Sequence, residues 1–168
     1  MKKGRDDLAL VVGGEKEALA TRNGEETLVL LGRTGFVKLE LMYGYHLVPT
    51  YAFGQTELFT VNQTLLGSLR ASLQRTLKIS IPIFWGRYGG PMPHPVKLTL
   101  AIGPPIKVPK PAEVGTEPPT ELVEKVHAEY VAAVRALFES HKESAGYGDR
   151  QLNIVSAGEK PPKEKKGQ

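Results

Sequence analysis

The chain contains no cysteine, and this absence excludes several kinds of chemistry. A disulfide framework, a thiolate metal site and a cysteine nucleophile all require a residue that the sequence does not have. The absence identifies no compartment, because a chain without cysteine is compatible with any redox environment.

Long hydrophobic runs are missing as well. No stretch reaches the roughly 18 to 20 consecutive apolar residues that a membrane-spanning helix needs, and the charged residues 1–7 lead into no apolar signal core. We therefore expect the chain as written not to cross a membrane. Peripheral contact with a lipid surface stays open.

The chain has 168 residues and an apolar fraction of 40%, which suits one domain with its own core. A net charge of +4 favours anionic partners such as phospholipid head groups, coenzyme A phosphates or nucleic acid. We expect no nucleic-acid binding, because the sequence has neither an aromatic stacking platform nor a reading helix. Four lysines after residue 159 are typical of a solvated, disordered tail.

Hydrophobic patterns predict strands that alternate with helices, which indicates an α/β fold. Pro49 removes a ladder donor, so its strand should be irregular there. The predicted elements are buried strands at 8–12 and 27–31 with an Asn23-Gly24 turn between them, a helix after Arg33 that ends at Gly44, strands at 46–53 and 96–103, and a last helix with Thr120 as N-cap.

Residues 65–79 repeat leucine at helical intervals, with basic and polar residues on the other faces. Such a helix can pack on the core or lie on a phospholipid surface, and the core-facing interpretation is favoured on general frequency. Residues 86–95 are rich in glycine and proline, so we predict a loop of the kind that often covers a site.

Residues 33–55 carry the most specific pattern, R-x-G-F-x-K-x-x-x-x-x-G-x-x-L-V-P-x-x-x-F-G-Q. This pattern resembles the signature of the diacylglycerol O-acyltransferase type 2 family, which also includes monoacylglycerol and wax-ester acyltransferases. The V-V-G-G-x-x-E-x-L of residues 11–19 resembles the element that precedes that signature. The G-x-P-I-x-V-P-K of residues 103–110 resembles the C-terminal region of the family, while Glu40 stands where we expect a small residue.

The resemblance implies a glycerolipid acyltransferase-like sheet covered by helices and incomplete at its N-terminal end. Residues 7–155 would be the C-terminal part of an acyltransferase domain, and residues 156–168 a disordered basic tail. The implied reaction transfers an acyl group from acyl-CoA, as co-substrate, to diacylglycerol or monoacylglycerol, with no cofactor and no metal. The implied setting is the endoplasmic reticulum membrane or a lipid droplet, reached peripherally or through a segment upstream.

The resemblance also implies a set of substrate-binding residues. A glycine pair after a strand exposes backbone N–H groups to a phosphate or carboxylate, and basic residues can meet phosphates or the thioester. An apolar ring beside a glycine leaves room for an acyl chain, although core packing explains it equally. The set is Gly13, Gly14, Glu17, Arg33, Gly35, Lys38, Pro49, Phe53 and Gly54.

In this family the general base is thought to be a histidine in a His-Pro-His-Gly motif, and this sequence has none. His46 is expected to hold a backbone hydrogen bond, and His94 lies in the proline-rich loop. The expectation is therefore that no catalytic residue lies in this chain, that the base is upstream, and that the chain alone turns over little or no substrate. The alternative is a non-catalytic lipid-surface or partner-binding module.

Overall fold

The computed structural model describes residues 8–14, 17, 22–62, 83–111 and 113–156. The predicted helix over residues 65–79 and the tail beyond residue 156 lie outside these ranges. No helix within them is long and apolar enough to cross a bilayer. The described elements are the strands β1 (Glu26–Leu31), β2 (Thr50–Phe53), β3 (Thr60–Asn62), β4 (Ile83–Trp85), β5 (Thr99–Ile102) and β6 (Leu152–Ser156), the helices α1 (Gly35–Tyr43) and α2 (Thr120–Ala145), and single 3₁₀ turns at Gln55–Glu57 and Arg87–Gly89.

Helix α1 forms where the sequence predicts it. Val37 and Leu41, one turn apart, are its buried residues, since positions i and i+4 lie on the same face. Gly44 ends the helix at a φ of 68°, and its backbone N–H donates to the Glu40 carbonyl. Only glycine takes this left-handed conformation without a steric penalty, so the predicted end of the helix is confirmed.

Strand β1 pairs in parallel with β6. The predicted turn before β1 is present, with Gly24 at a φ of 87°. In the register, Glu26 lies opposite Leu152 and Val29 opposite Val155. The sequence analysis did not predict β6.

Strand β2 pairs antiparallel with β5, and β3 pairs antiparallel with β4. The strand predicted over residues 46–53 is regular only from Thr50, directly after Pro49. The Pro49 carbonyl accepts the Gly103 N–H at 2.8 Å, so the proline takes part in the sheet only as an acceptor. The predicted irregularity is therefore confirmed.

Helix α2 packs against β2, β5 and α1, and it lies over two hydrophobic clusters. The first cluster contains Phe53 and Phe138, the second contains Val37 and Val123, and Tyr130 packs against both. The expectation that Thr120 is the N-cap is wrong. Pro119 takes that position, because its carbonyl accepts the N–H groups of the first turn, and no side chain caps the helix.

The strand predicted at residues 8–12 is also wrong. Leu8 is 76% exposed and Val11 is 88% exposed, and the segment has no regular structure. A strand is stable only beside another strand that uses its backbone groups, and no strand of the described part pairs with this segment. The segment has the apolar pattern of a strand, but no strand of the described part pairs with it.

The α/β class is confirmed, because helices and strands are both present around a shared core. The expected acyltransferase-like sheet is not confirmed, because the described residues form three separate two-stranded sheets. A parallel pair of only two strands is unusual, since parallel strands normally occur inside larger sheets with both faces covered.

Strand β5, unlike β2 with its buried Tyr51 and Phe53, presents its larger apolar side chains to solvent. Leu98, Leu100 and Ile102 are 56%, 62% and 63% exposed, whereas Ala101 is 4% exposed and faces the core. Successive side chains of a strand alternate between faces, so a sheet with one wet face normally carries polar residues there. Here the exposed face carries large apolar residues on β5, although the opposite face of the sheet is already buried in the core.

Candidate functional site

The glycine pair and Glu17 lie together at β1. A Cβ on Gly13 would be 2.1 Å from Glu17 Oε2, so the carboxylate occupies the space that any other residue at position 13 would need. The same Oε2 accepts the Val29 N–H at 3.1 Å. The Val29 N–H of β1 therefore donates to the side chain of Glu17 and not to the backbone of a neighbouring strand.

Arg33 lies between β1 and α1, and its backbone N–H donates to the Leu30 carbonyl at 3.1 Å. Its Nη1 donates to the Val12 carbonyl at 3.0 Å and lies 3.6 Å from the place of a Cβ on Gly14. Gly14 has a φ of 60°, which favours glycine. The structure thus brings Arg33 to the glycine pair, a contact that the sequence analysis did not predict.

The electrostatics of this site combine one carboxylate and one guanidinium. Burial raises the pKa of Glu17, while the Val29 N–H and the positive charge of Arg33 act in the opposite direction. The Nε of Arg33 is buried and has no hydrogen-bond partner among the described residues. A buried unpaired donor costs free energy, so an anion that accepts from it would be bound favourably.

Gly35 and Lys38 lie elsewhere on α1. Gly35 begins the helix, and a Cβ there would meet no atom within 4 Å, so nothing in the described part requires glycine. Lys38 Nζ pairs with Glu117 Oε1 at 3.1 Å, with 42% of the lysine side chain exposed. Lys38 and Arg33 have different partners, and the contact of Gly35 and Lys38 with substrate stays a prediction.

Pro49, Phe53 and Gly54 form a second group in the core. Phe53 is fully buried and stacks on Phe138 and Tyr147, with ring centroids 5.4 and 5.7 Å away. Gly54 has a φ of 88°, and a Cβ there would be 2.6 Å from the Lys97 carbonyl oxygen. These contacts agree with the core-packing interpretation of Phe53, and contact with an acyl chain stays a prediction.

The sequence analysis missed a buried polar network centred on Glu26, which is 1% exposed. Its carboxylate accepts from Tyr51 Oη at 2.6 Å, from Thr56 Oγ1 at 3.3 Å and from Arg150 Nη1 at 2.8 Å. Arg150 also pairs with Glu57. The available signal was a glutamate that begins an otherwise apolar strand, but its partner lies 124 positions away in the sequence.

The network raises the pKa of Tyr51, because the hydroxyl is buried and next to the Glu26 carboxylate. Tyr51 therefore remains a neutral donor. A polar cavity of about 520 Å³ lies beside the network, lined partly by Glu57, Lys97 and Arg150. Because Arg150 is already paired with two carboxylates, we interpret this region as one that holds the fold together and not as a binding site for an anion.

In the described part of the chain, the four histidines contact backbone groups or hydroxyl groups. His46 Nδ1 accepts the Val108 N–H at 3.4 Å, which confirms the expected backbone hydrogen bond. His94 Nε2 lies 3.2 Å from Thr60 Oγ1, and His127 Nε2 donates to the Leu30 carbonyl at 3.1 Å. His141 bonds Ser140 and the Leu137 carbonyl. Among the described residues, no carboxylate contacts any of these imidazoles in the way that commonly orients a general base.

Within the described ranges, no group of three or more histidine, aspartate or glutamate side chains is arranged to hold a metal ion. The site with the most distinctive geometry is therefore the glycine pair with Glu17 and Arg33, which we call the Glu17–Arg33 site. It offers a buried carboxylate, a guanidinium with an unpaired Nε donor, and backbone that only glycine can form.

Comparison with known proteins places this geometry in a family. A family model described as "Diacylglycerol acyltransferase" matches residues 1–155, which include the whole Glu17–Arg33 site and the Glu26 network. The chain belongs to the diacylglycerol acyltransferase family. The resemblance seen in residues 11–19, 33–55 and 103–110 is thereby confirmed.

Several curated members of the diacylglycerol acyltransferase family are similar to the chain. Human 2-acylglycerol O-acyltransferase 3 is 40% identical over 149 residues, which are 83% of this chain and 42% of that protein. Diacylglycerol O-acyltransferase 1 of Eremothecium gossypii is 36% identical over 158 residues, 88% of this chain and 34% of that protein. Human acyl-CoA wax alcohol acyltransferase 2 is 34% identical over 164 residues, 91% of this chain and 48% of that protein.

The chain thus spans less than half the length of these diacylglycerol acyltransferase relatives. No solved structure matches the chain significantly. Membership of the family is established by sequence, while the reaction of the relatives belongs to longer proteins.

Proposed function

We propose that this chain supplies part of an acyl-CoA-dependent O-acyltransferase of glycerolipids, whose reaction converts diacylglycerol to triacylglycerol. Family membership supports this, and so do the names of the relatives, which specify acylglycerol or wax alcohol acceptors and, for one, acyl-CoA. The observation that carries the proposal is Arg33, which is held at the Gly13–Gly14 pair with its Nε unpaired.

In this proposal the Glu17–Arg33 site binds the acyl-CoA co-substrate. The guanidinium meets a phosphate or the thioester oxygen, because a planar fork of donors suits such acceptors. Glu17 holds the Gly13 backbone and the Val29 N–H in position. The three pairs of strands belong, in this proposal, to one acyltransferase-like sheet.

The proposal assigns the general base to a histidine outside this sequence. The acceptor hydroxyl must lose a proton as it attacks the thioester, and a positioned base makes that transfer fast. The four histidines of this chain are bonded to backbone or hydroxyl groups. We therefore expect no turnover by the chain alone.

We also expect the complete enzyme to act at the endoplasmic reticulum membrane or at a lipid droplet. Fractionation of cells that express the tagged complete protein tests this location, and a cytosolic distribution contradicts it.

The test measures binding and turnover separately. Binding of palmitoyl-CoA to the purified chain is followed by calorimetry, and Arg33→Ala is expected to weaken it about tenfold or more, since a charge-assisted hydrogen bond contributes about 1.5–3 kcal/mol. Arg87→Ala, which removes an arginine that lies over the exposed Tyr88 ring, is the control and should bind as the wild type does.

Equal affinities of the wild type and Arg33→Ala contradict the proposed binding role. For turnover, labelled acyl transfer to diacylglycerol in liposomes is measured beside a His46→Ala/His94→Ala variant. Activity in the wild-type chain that disappears in this variant shows that the base lies inside the chain, and the assignment to a distant histidine is then wrong.

A further inference from the structure

We propose that the outer face of β5, formed by Leu100 and Ile102 together with Leu98 just before the strand, is the surface on which an amphipathic helix from the remaining part of the acyltransferase domain packs. The inference rests on the proposed function, because it assumes that this chain is completed into an acyltransferase domain. It adds which surface of this chain receives such a helix, which family membership alone does not give.

The first observation is the direction in which β5 faces. Its inward side chains are small or polar, with Ala101 4% exposed, while the three large apolar side chains of the segment are 56–63% exposed. Leu100 lies opposite Ala52 and Ile102 opposite Thr50, so the exposed face continues onto β2 without a charged residue. A sheet with this pattern is built to be buried on both faces.

The second observation is the state of the other sheets. Strands β1 and β6 form a parallel pair with no third strand in the described part, and parallel pairs belong to larger covered sheets. The apolar residues 8–12 have no strand structure, and Val11 is 88% exposed. Both features indicate missing neighbours, independently of β5.

The occupant follows from the layer structure and the lengths. Helix α2 covers the inner face of β2 and β5, and in α/β domains helices cover the other face as well. From Leu98 to Ile102 the strand advances about 13 Å, which is about two and a half turns of a helix. More than half of each relative named above lies outside the match and contains residues enough for such a helix.

The test measures whether the two polypeptides bind each other, and it does not depend on catalysis. The part of human 2-acylglycerol O-acyltransferase 3 that lies outside the match is produced as a tagged polypeptide together with the full chain. We expect the wild-type chain to co-purify with it, and a Leu100→Lys/Ile102→Lys variant to be captured at least about tenfold less, because two buried apolar contacts are lost. The matched control is Val114→Lys, at a residue that is 72% exposed in a different segment.

Folding of the double variant is checked by circular dichroism, and substitutions at such exposed positions are expected to leave the fold intact. The proposal is overturned if the wild type is not captured, or if the double variant is captured equally well. It is also overturned if the face instead mediates dimers of this chain or binding to anionic vesicles, each lost in the double variant. A photo-crosslinker at position 100 that reaches residues 63–82 of the same chain overturns it too. Acyl transfer is not the readout, so failure of the proposed reaction and failure of this interface are distinguishable.

Discussion

At the scale of single residues, two glycines show two different reasons why a position requires glycine. Gly24 and Gly54 have nearly the same φ, 87° and 88°. Nothing lies within 4 Å of a Cβ built on Gly24, whereas a Cβ on Gly54 would be 2.6 Å from the Lys97 carbonyl oxygen. The first position needs glycine only for its backbone conformation, and the second also needs it for space.

We expect Gly54→Ala to destabilise the chain clearly more than Gly24→Ala. A left-handed conformation costs an ordinary residue about 1–2 kcal/mol, and overpacking against backbone adds about 1–3 kcal/mol at Gly54 only. Urea denaturation of both variants measures the difference in the free energy of unfolding. Two variants that agree within about 0.5 kcal/mol would show that the β2 end and Lys97 separate freely.

The residue scale also shows what the sequence predicts of the site. The glycine pair, Glu17 and Arg33 each belong to a local sequence pattern and are therefore recognisable singly. That they lie together is seen only in the structure. The sequence gives no indication of the Glu26 network, since a single glutamate in a strand has no local pattern that reveals a partner on a distant loop.

At the scale of elements, the Glu26 network connects three of them. Glu26 begins β1, Glu57 ends a 3₁₀ turn, and Arg150 lies in the loop between α2 and β6. The side chain of Arg150 is 18% exposed and that of Glu26 is 1% exposed, so this pair is largely shielded from water. Removing one member of such a pair leaves the other as a buried, uncompensated charge.

Arg150→Ala is therefore expected to lower the free energy of unfolding by about 3–5 kcal/mol. Replacing both charges, as in Glu26→Gln/Arg150→Met, should recover part of that loss, because no buried charge remains unpaired. Arg87→Ala, at an arginine that lies only over the exposed Tyr88 ring, should stay within about 0.5 kcal/mol of the wild type. A loss below about 1 kcal/mol in Arg150→Ala, measured by urea denaturation, contradicts a buried pair.

Elements with strong local signals are predictable, and those defined by a distant neighbour are not. Helix α1, the strand after Asn23-Gly24 and helix α2 follow from periodicity, turn chemistry and caps. Strand β6 was missed because only its pairing with β1 makes it a strand. Residues 8–12 were wrongly predicted for the converse reason, since they have the pattern of a buried strand but no neighbour in the described part.

At the scale of the whole molecule, stability is distributed unevenly. Helix α2 covers both hydrophobic clusters, and no described residue of β3 or β4 belongs to either of them. The β3–β4 pair is attached through Asn23, whose side-chain amide donates to the Thr56 and Phe59 carbonyls at 3.0 and 2.8 Å and accepts the Val61 N–H at 2.9 Å. Elements with few buried apolar contacts open first.

Trp85, the only tryptophan, lies in β4 and reports on this pair. We expect its fluorescence to change at a lower urea concentration than the far-UV circular dichroism, which follows α2. Asn23→Ala should widen that gap by moving only the fluorescence transition. Coincident transitions in both proteins would mean that the molecule unfolds in a single step and that the pair is fully coupled to the clusters.

The parallel pairing of β1 with β6 has a consequence for synthesis on the ribosome. The glutamate that opens β1 meets its arginine 124 positions later, close to the last described residue. Contacts between such distant positions form slowly, and here they form only after residues 150–156 have left the exit tunnel. During synthesis β1 therefore has no partner from β6, and we expect a product that ends before residue 152 to expose the edge of β1.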